Sequence, residues 1–145
     1  MTALVQGRLA PRREGDYREG PVAAATTLFT GALLMRNASG LLVEGQTATG
    51  LVGVGVAETI ADNASGAAGD LTVRYRSGIY RMANSASTDE ITAADVGKLC
   101  YAVDDQTVAK TDATSTRSPA GIVDAVDTLG VWVRFDEALT AALAA

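Results

Sequence analysis

From Val22 onward the chain is a succession of short apolar runs broken by turn residues. VAAATTLF, GALLMRN, LLVEG and GLVGVGVAETI follow one another, with Asn37-Ala38-Ser39-Gly40 and Gly45 as the breaks. In GDLTVRYRSGIYRMANS, residues 69–85, two alternating runs stand out, Leu71 to Tyr75 and Ile79 to Met82. Leu71, Val73 and Tyr75 share one face of the first run, and Thr72 and Arg74 the other. The intervening Arg76-Ser77-Gly78 predicts a three-residue hairpin loop with Gly78 in the left-handed position. A second hairpin joins KLCYAV to QTVAKT around Asp104-Asp105, and a third joins AGIVDAV to GVWVRF around Asp127 to Gly130. Strands at this spacing predict an all-β fold, a jelly-roll-like β-sandwich or barrel with very little helix. Thr92 to Val96 reads as one helical turn, capped by Thr92 and ended by Gly97. The tail EALTAALAA has helix-forming composition but is too short to hold a helix unaided.

Three regions follow: an extended arm over residues 1–20, a β-domain over 21–136 and a short tail over 137–145. The arm has no clean period and carries Gly7, Pro11, Gly15 and Gly20. Its Leu4, Val5, Leu9 and Tyr17 alternate with Arg8, Arg12, Arg13 and Arg18, a mixture of apolar anchors and charged donors suited to lying along an acidic partner. At 145 residues the chain is one domain's worth, enough to bury about 70% of its unfolded surface. Hydrophobic residues at 48% and charged residues at 20% exclude a disordered chain, while aromatics at only 5% predict a core of small aliphatics.

No apolar run approaches the roughly 20 residues that span a bilayer, and residues 1–20 lack the apolar core of a signal peptide. Cys100 is the single cysteine, so no internal disulfide forms, and a cytosolic site of synthesis is expected. The net charge of −5 argues against a phosphate-tracking surface. Neither nucleic acid nor membrane is an expected partner.

Candidate chemistry is thin. Histidine is absent, which removes Ser-His-Asp and Cys-His catalysis and His-containing zinc sites. Asp104-Asp105 is the best carboxylate pair, but neighbours on a strand face opposite ways and a turn favours Asp for backbone reasons. Asp124 and Asp127 read the same way. Gly53-Val54-Gly55 lacks the third glycine and following helix of a dinucleotide loop, and predicts a bent strand closely approached by other backbone. Asp62, Asn63 and Asp70 lie in an oxygen-rich stretch whose spacing matches no calcium loop, so a solvated loop is expected. Cys100, in an alternating run, reads as a small core residue or else as a quiet surface thiol on the opposite strand face. No catalytic residue, cofactor or metal is therefore expected, and no enzyme. Trp132 is more informative. Val131, Val133 and Phe135 share one face of their strand, leaving Trp132 and Arg134 on the other, either as interface residues or beneath a second sheet or loop.

Taken in order, PRREGD, PVAAATTLFTGALLMRNASG, TGLVGVGVAE, GDLTVRYRSGIYRMANS, ITAADVGKLCYAVDDQTVAKT and AGIVDAVDTLGVWVRF resemble the cement, or capsid decoration, proteins of tailed bacteriophages, particularly those of Mu-like and related siphophage heads. The likeness runs from about Arg8 to Phe135, and the order of segments is more specific than any one of them. It implies a small β-rich protein, made in the bacterial cytoplasm, that binds the outer surface of the expanded head as a homodimer or homotrimer. Its partner would be the major capsid protein, and it would reinforce joints between capsomers against the pressure of packaged DNA. Such families have no active site to carry over. On this reading the ribbon bearing Arg74, Arg76 and Arg81 offers donors to carboxylates, together with Arg8, Arg12, Arg13, Tyr17, Arg18, Trp132 and Arg134. The alternatives are a head-fibre or tail-associated β-domain that binds a host glycan or a tail protein, and a hydrolase needing two acids in one pocket.

Overall fold

A computed structural model describes residues 2–145. Strands account for 41% of the residues and helical segments for 10%, so the all-β expectation is met. A five-stranded sheet is built from β1 (Tyr17–Pro21), β3 (Leu33–Arg36), β4 (Leu42–Glu44), β5 (Val52–Ala57) and β7 (Thr72–Arg76), in the order β1-β7-β5-β3-β4. β2 (Thr26–Leu28) and β6 (Ala61–Asn63) form a two-stranded ribbon. The second half closes into a barrel, in the order β10-β8-β12-β11-β9, from β8 (Gly78–Asn84), β9 (Leu99–Ala102), β10 (Thr107–Ala109), β11 (Pro119–Asp127) and β12 (Gly130–Phe135).

The central strands β3 and β5 are covered on both faces, which is why their sequence reads as nearly continuous apolar runs. Leu33, Met35 and Val56 join the barrel residues Cys100, Val108, Val123, Val131, Val133 and Phe135 in one core. Leu34 and Val54 join Val22, Leu28, Leu42, Val73 and Tyr75 in the other. Val54 and Val56 are two residues apart and belong on one face of a regular strand, yet they enter different cores. The ladder explains this: Leu34 pairs with Gly55 and Met35 with Gly53, so Val54 is the extra residue of a β-bulge that resets the alternation.

The glycines flanking the bulge are steric requirements. A Cβ on Gly53 would overlap the Ala120 carbonyl of β11, and one on Gly55, at φ 156°, would overlap the Arg76 carbonyl of β7. The strand expected to be closely approached by backbone is the seam between sheet and barrel.

The first predicted hairpin does not form. β7 pairs with β1 and β5, whereas β8 pairs with β12 and β10. Gly78 does take a positive φ, 119°, but at a corner where the chain leaves the sheet for the barrel. Local alternation was sound for Val73 and Tyr75, which are buried under the sheet; Met82 is buried in the barrel instead, and Leu71 and Ile79 are exposed. The other two hairpins form as expected, with Val108 opposite Ala102 and Val123 opposite Val133. Thr92 caps a 3-10 turn over Ala93–Asp95, where the Asp95 carboxylate accepts the Thr92 backbone N–H at 2.8 Å.

The root of the arm and the tail are both built into the fold. The predicted arm ends in β1, so Tyr17 to Gly20 belong to the sheet. The tail is an α-helix, α1 (Glu137–Ala144), that rests on β5 and β11. Asp136 caps it by accepting from the Leu139 N–H at 3.0 Å, and Glu137 forms an ion pair with Arg36 at 2.6 Å. Arg36 also donates to the Tyr75 hydroxyl and the Gly40 carbonyl, each at 3.1 Å. Tertiary contacts thus supply what eight residues lack alone. The expected solvated loop at 62–70 starts in β6 instead, with Asn63 buried and its side-chain amide donating to the carbonyls of Ala23 and Ala67.

The seam gives a direct expectation. Gly53→Ala should lower stability by roughly 1–3 kcal/mol, the range for overpacking a filled core, because the obstacle is backbone and cannot rotate away. Gly7→Ala, with open space around it, should leave the urea midpoint unchanged. Equal midpoints for the two variants would contradict the close approach.

Candidate partner-binding surface

On the outer face of the barrel, Trp132 of β12 lies directly opposite Arg81 of β8, and Arg134 opposite Ile79. The separation of faces expected from GVWVRF is present: Val131, Val133 and Phe135 are buried, Trp132 is half-buried and Arg134 is exposed. The indole N–H donates to Asp127 Oδ2 at 2.9 Å, while Asp127 Oδ1 accepts the N–H groups of Leu129 at 2.8 Å and Gly130 at 3.1 Å. One carboxylate therefore closes the β11–β12 turn and fixes the indole edge, which is the turn role expected for Asp127 with an addition the sequence did not reveal. These bonds, the Trp132 one foremost, hold the Asp127 pKa below the ordinary carboxylate value. The Arg81 guanidinium lies 5.6 Å from the indole centroid, within cation–π range. Among the described residues neither Arg81 nor Arg134 has an ion-pair partner. The result is an aromatic plate fixed at its edge and flanked by two available cations.

The arm root is a separate place. Arg76, expected to offer its charge outward, is spent internally: it lies 3.9 Å from the Tyr17 ring centroid, 3.6 Å from Asp16 and 3.7 Å from Glu58. It fastens the point where the arm enters β1. Arg18 likewise donates to the carbonyls of Gly15 and Tyr17, and Arg12 pairs with Glu14. Arg13, Arg18 and Arg74 line a shallow cleft of about 350 Å3 with Glu14, Tyr17 and Glu19. Beyond it the arm rests on little: Leu4 is 69% exposed, Val5 98% and Leu9 88%. Arg8 makes only a bond to the adjacent Leu9 carbonyl.

Two features escaped the sequence reading. Phe29, directly after β2, and Ile60, directly before β6, would fall opposite each other if the ribbon's register ran one step past the Leu28–Ala61 pair, and both are largely exposed. The alternation of TTLF and ETIADN contained this outward pair, but the partnership of segments thirty residues apart did not show in either. The second feature is a left-handed turn at Ala113, Thr114 and Ser115, with φ of 51°, 61° and 62°. Such a turn is costly for residues with a Cβ. It is braced by Asp89, which accepts from Thr111 Oγ1 at 2.5 Å and Arg117 Nη1 at 3.2 Å and whose pKa these bonds depress.

Asp104 and the thiol have structural places. Asp104 Oδ1 accepts the Gln106 N–H at 2.9 Å inside the β9–β10 turn. Cys100 is buried with its thiol pushed up to about 12 by burial, which leaves it a core residue. Among the described residues no three His, Cys, Asp or Glu side chains are grouped to hold a metal ion, and no helix is long and apolar enough to cross a membrane. Comparison with protein families, with curated proteins and with solved structures finds no match to this chain.

Trp132 is the single tryptophan, so its fluorescence reports on this site alone. A carboxylate with a depressed folded-state pKa contributes its stabilisation above the unfolded value of about 3.9 and loses it as pH falls through the folded value. The emission should therefore hold steady down to about pH 4 and shift only below it, and Asp127→Asn should abolish the shift. A transition centred near pH 5 would contradict the indole–carboxylate bond.

Proposed function

We propose that the protein is a capsid decoration subunit that binds the outer surface of a phage head and ties neighbouring capsomers together. The observation that carries the reading is the Trp132 plate between the exposed Arg81 and Arg134, held rigid by Asp127 on a closed barrel. Trp and Arg are the side chains that most often dominate protein interfaces, and pre-fixing them lowers the entropy lost on docking. The succession of segments from about Arg8 to Phe135 that resembles phage cement proteins is the reason for naming the major capsid protein as the partner.

An exposed ion pair contributes only about 0–1 kcal/mol, so one subunit would hold weakly by charge alone. Burial of the indole adds to each contact, and joining subunits into an oligomer multiplies contacts at high effective concentration. Closing β8–β12 into a barrel removes free strand edges there, which suits a part that recurs at high local density without aggregating.

Co-sedimentation with expanded, undecorated heads tests the reading. Saturable binding of hundreds of copies per shell, with a higher rupture temperature, is expected, and Arg81→Glu with Arg134→Glu should weaken binding by roughly tenfold or more while leaving the fold intact. Absence of binding by the unaltered protein would overturn the assignment and favour a tail or fibre component. Undiminished binding by the double variant would remove the Trp132 face from it.

A further inference from the structure

The chain leaves two complementary surfaces unfilled. On the body, the open end of the β2–β6 ribbon carries Phe29, 57% exposed, directly after β2 and Ile60, 61% exposed, directly before β6, one step beyond the Leu28–Ala61 pair. Acids flank this pair. Asp62, two residues from Ile60 on the same outward face, is fixed there by accepting from Thr27 Oγ1 at 3.0 Å. Asp105 lines the same shallow cleft, about 170 Å3, as Phe29. At the other end of the chain, the arm carries Val5 and Leu9 almost fully exposed, with Arg8 between them and Arg13 beyond. Neither Arg8 nor Arg13 has an ion-pair partner among the described residues.

We infer that the arm of one copy seats on the Phe29–Ile60 face of a second copy, with Val5 and Leu9 against the two apolar side chains and Arg8 toward Asp62 or Asp105. Apolar meets apolar, and basic meets acidic. Residues 2–16 reach at most roughly 50 Å when extended, ample to cross to a neighbouring molecule. The arm root is fastened by Arg76 to Asp16 and Tyr17, so it departs from a defined point and not from a loose end. A contact of this kind joins two different patches and closes either as a reciprocal pair or as a small ring.

The inference concerns self-association and holds whether or not a capsid is the final partner. Its test therefore uses the purified full-length chain without shells, by sedimentation velocity from about 1 to 100 μM, the span in which an interface of this modest size associates. The unaltered protein should self-associate. One variant, Val5→Ser with Leu9→Ser, removes the arm's anchors without touching the body. Another, Phe29→Ser with Ile60→Ser, removes the receptor. Each alone should weaken association by roughly tenfold or more. Mixed in equal amounts, the two should form a heterodimer, because the second variant keeps an intact arm and the first an intact receptor.

A monomeric unaltered protein at 100 μM overturns the inference, as does association that neither variant weakens. If both variants weaken association but the mixture forms no heterodimer, arm and ribbon do not meet between copies, and the inference fails on that result too. The arm variant has no body contact to lose, so it remains interpretable even if the ribbon variant loses stability.

Discussion

Backbone-to-backbone contact along β5 is the constraint on which the rest of the structure depends. Sheet and barrel approach so closely there that Gly53 has no room for a side chain against β11, Gly55 has none against its sheet neighbour β7, and the bulge at Val54 divides neighbouring valines between two cores. A regular strand would send Val54 and Val56 to one side and leave the other core short of a residue. With the bulge, a chain poor in aromatics fills two modest cores from one shared layer. The helix α1 covers this layer from the side, resting on β5 and β11 and anchored to β3 through Arg36 and Glu137.

A body welded in this way keeps its outer features in fixed relation. The Trp132 plate stands on a closed barrel, the arm leaves from a point fastened by Arg76, and Phe29 and Ile60 flank the end of a ribbon whose inner face is buried. Each is an exposed group on a rigid support, the arrangement that loses least entropy when a partner docks. Asp127 shows the economy of the design: one carboxylate closes a turn and orients the indole that the turn precedes.

What the sequence revealed divides by distance along the chain. The β9–β10 and β11–β12 hairpins were legible because the turn and both alternating strands lie within about twenty residues of one another. The turn acids Asp104 and Asp127, the capped turn at Thr92 and the separation of Trp132 and Arg134 from the core face of β12 were legible for the same reason. The ribbon through Arg76-Ser77-Gly78 had equally good local signals and was misread. Its two strands belong to different sheets, and only their partners β1, β5 and β12 decide that. The same nonlocal logic hid the ordering of α1 by Arg36, 101 residues away, the internal use of Arg76, and the pairing of β2 with β6, whose end Phe29 and Ile60 flank. Composition predicted a small aliphatic core but not that it would be two cores sharing a strand.

Native-state hydrogen exchange under increasing denaturant tests most directly whether sheet and barrel are one unit. If β5 is a shared layer, the amides of β3, β5, β11 and β12 converge on a single opening free energy with the full denaturant dependence of global unfolding. Barrel amides that stay protected while those of β3 and β5 exchange through a smaller, separate opening would show two independent bodies and contradict the account.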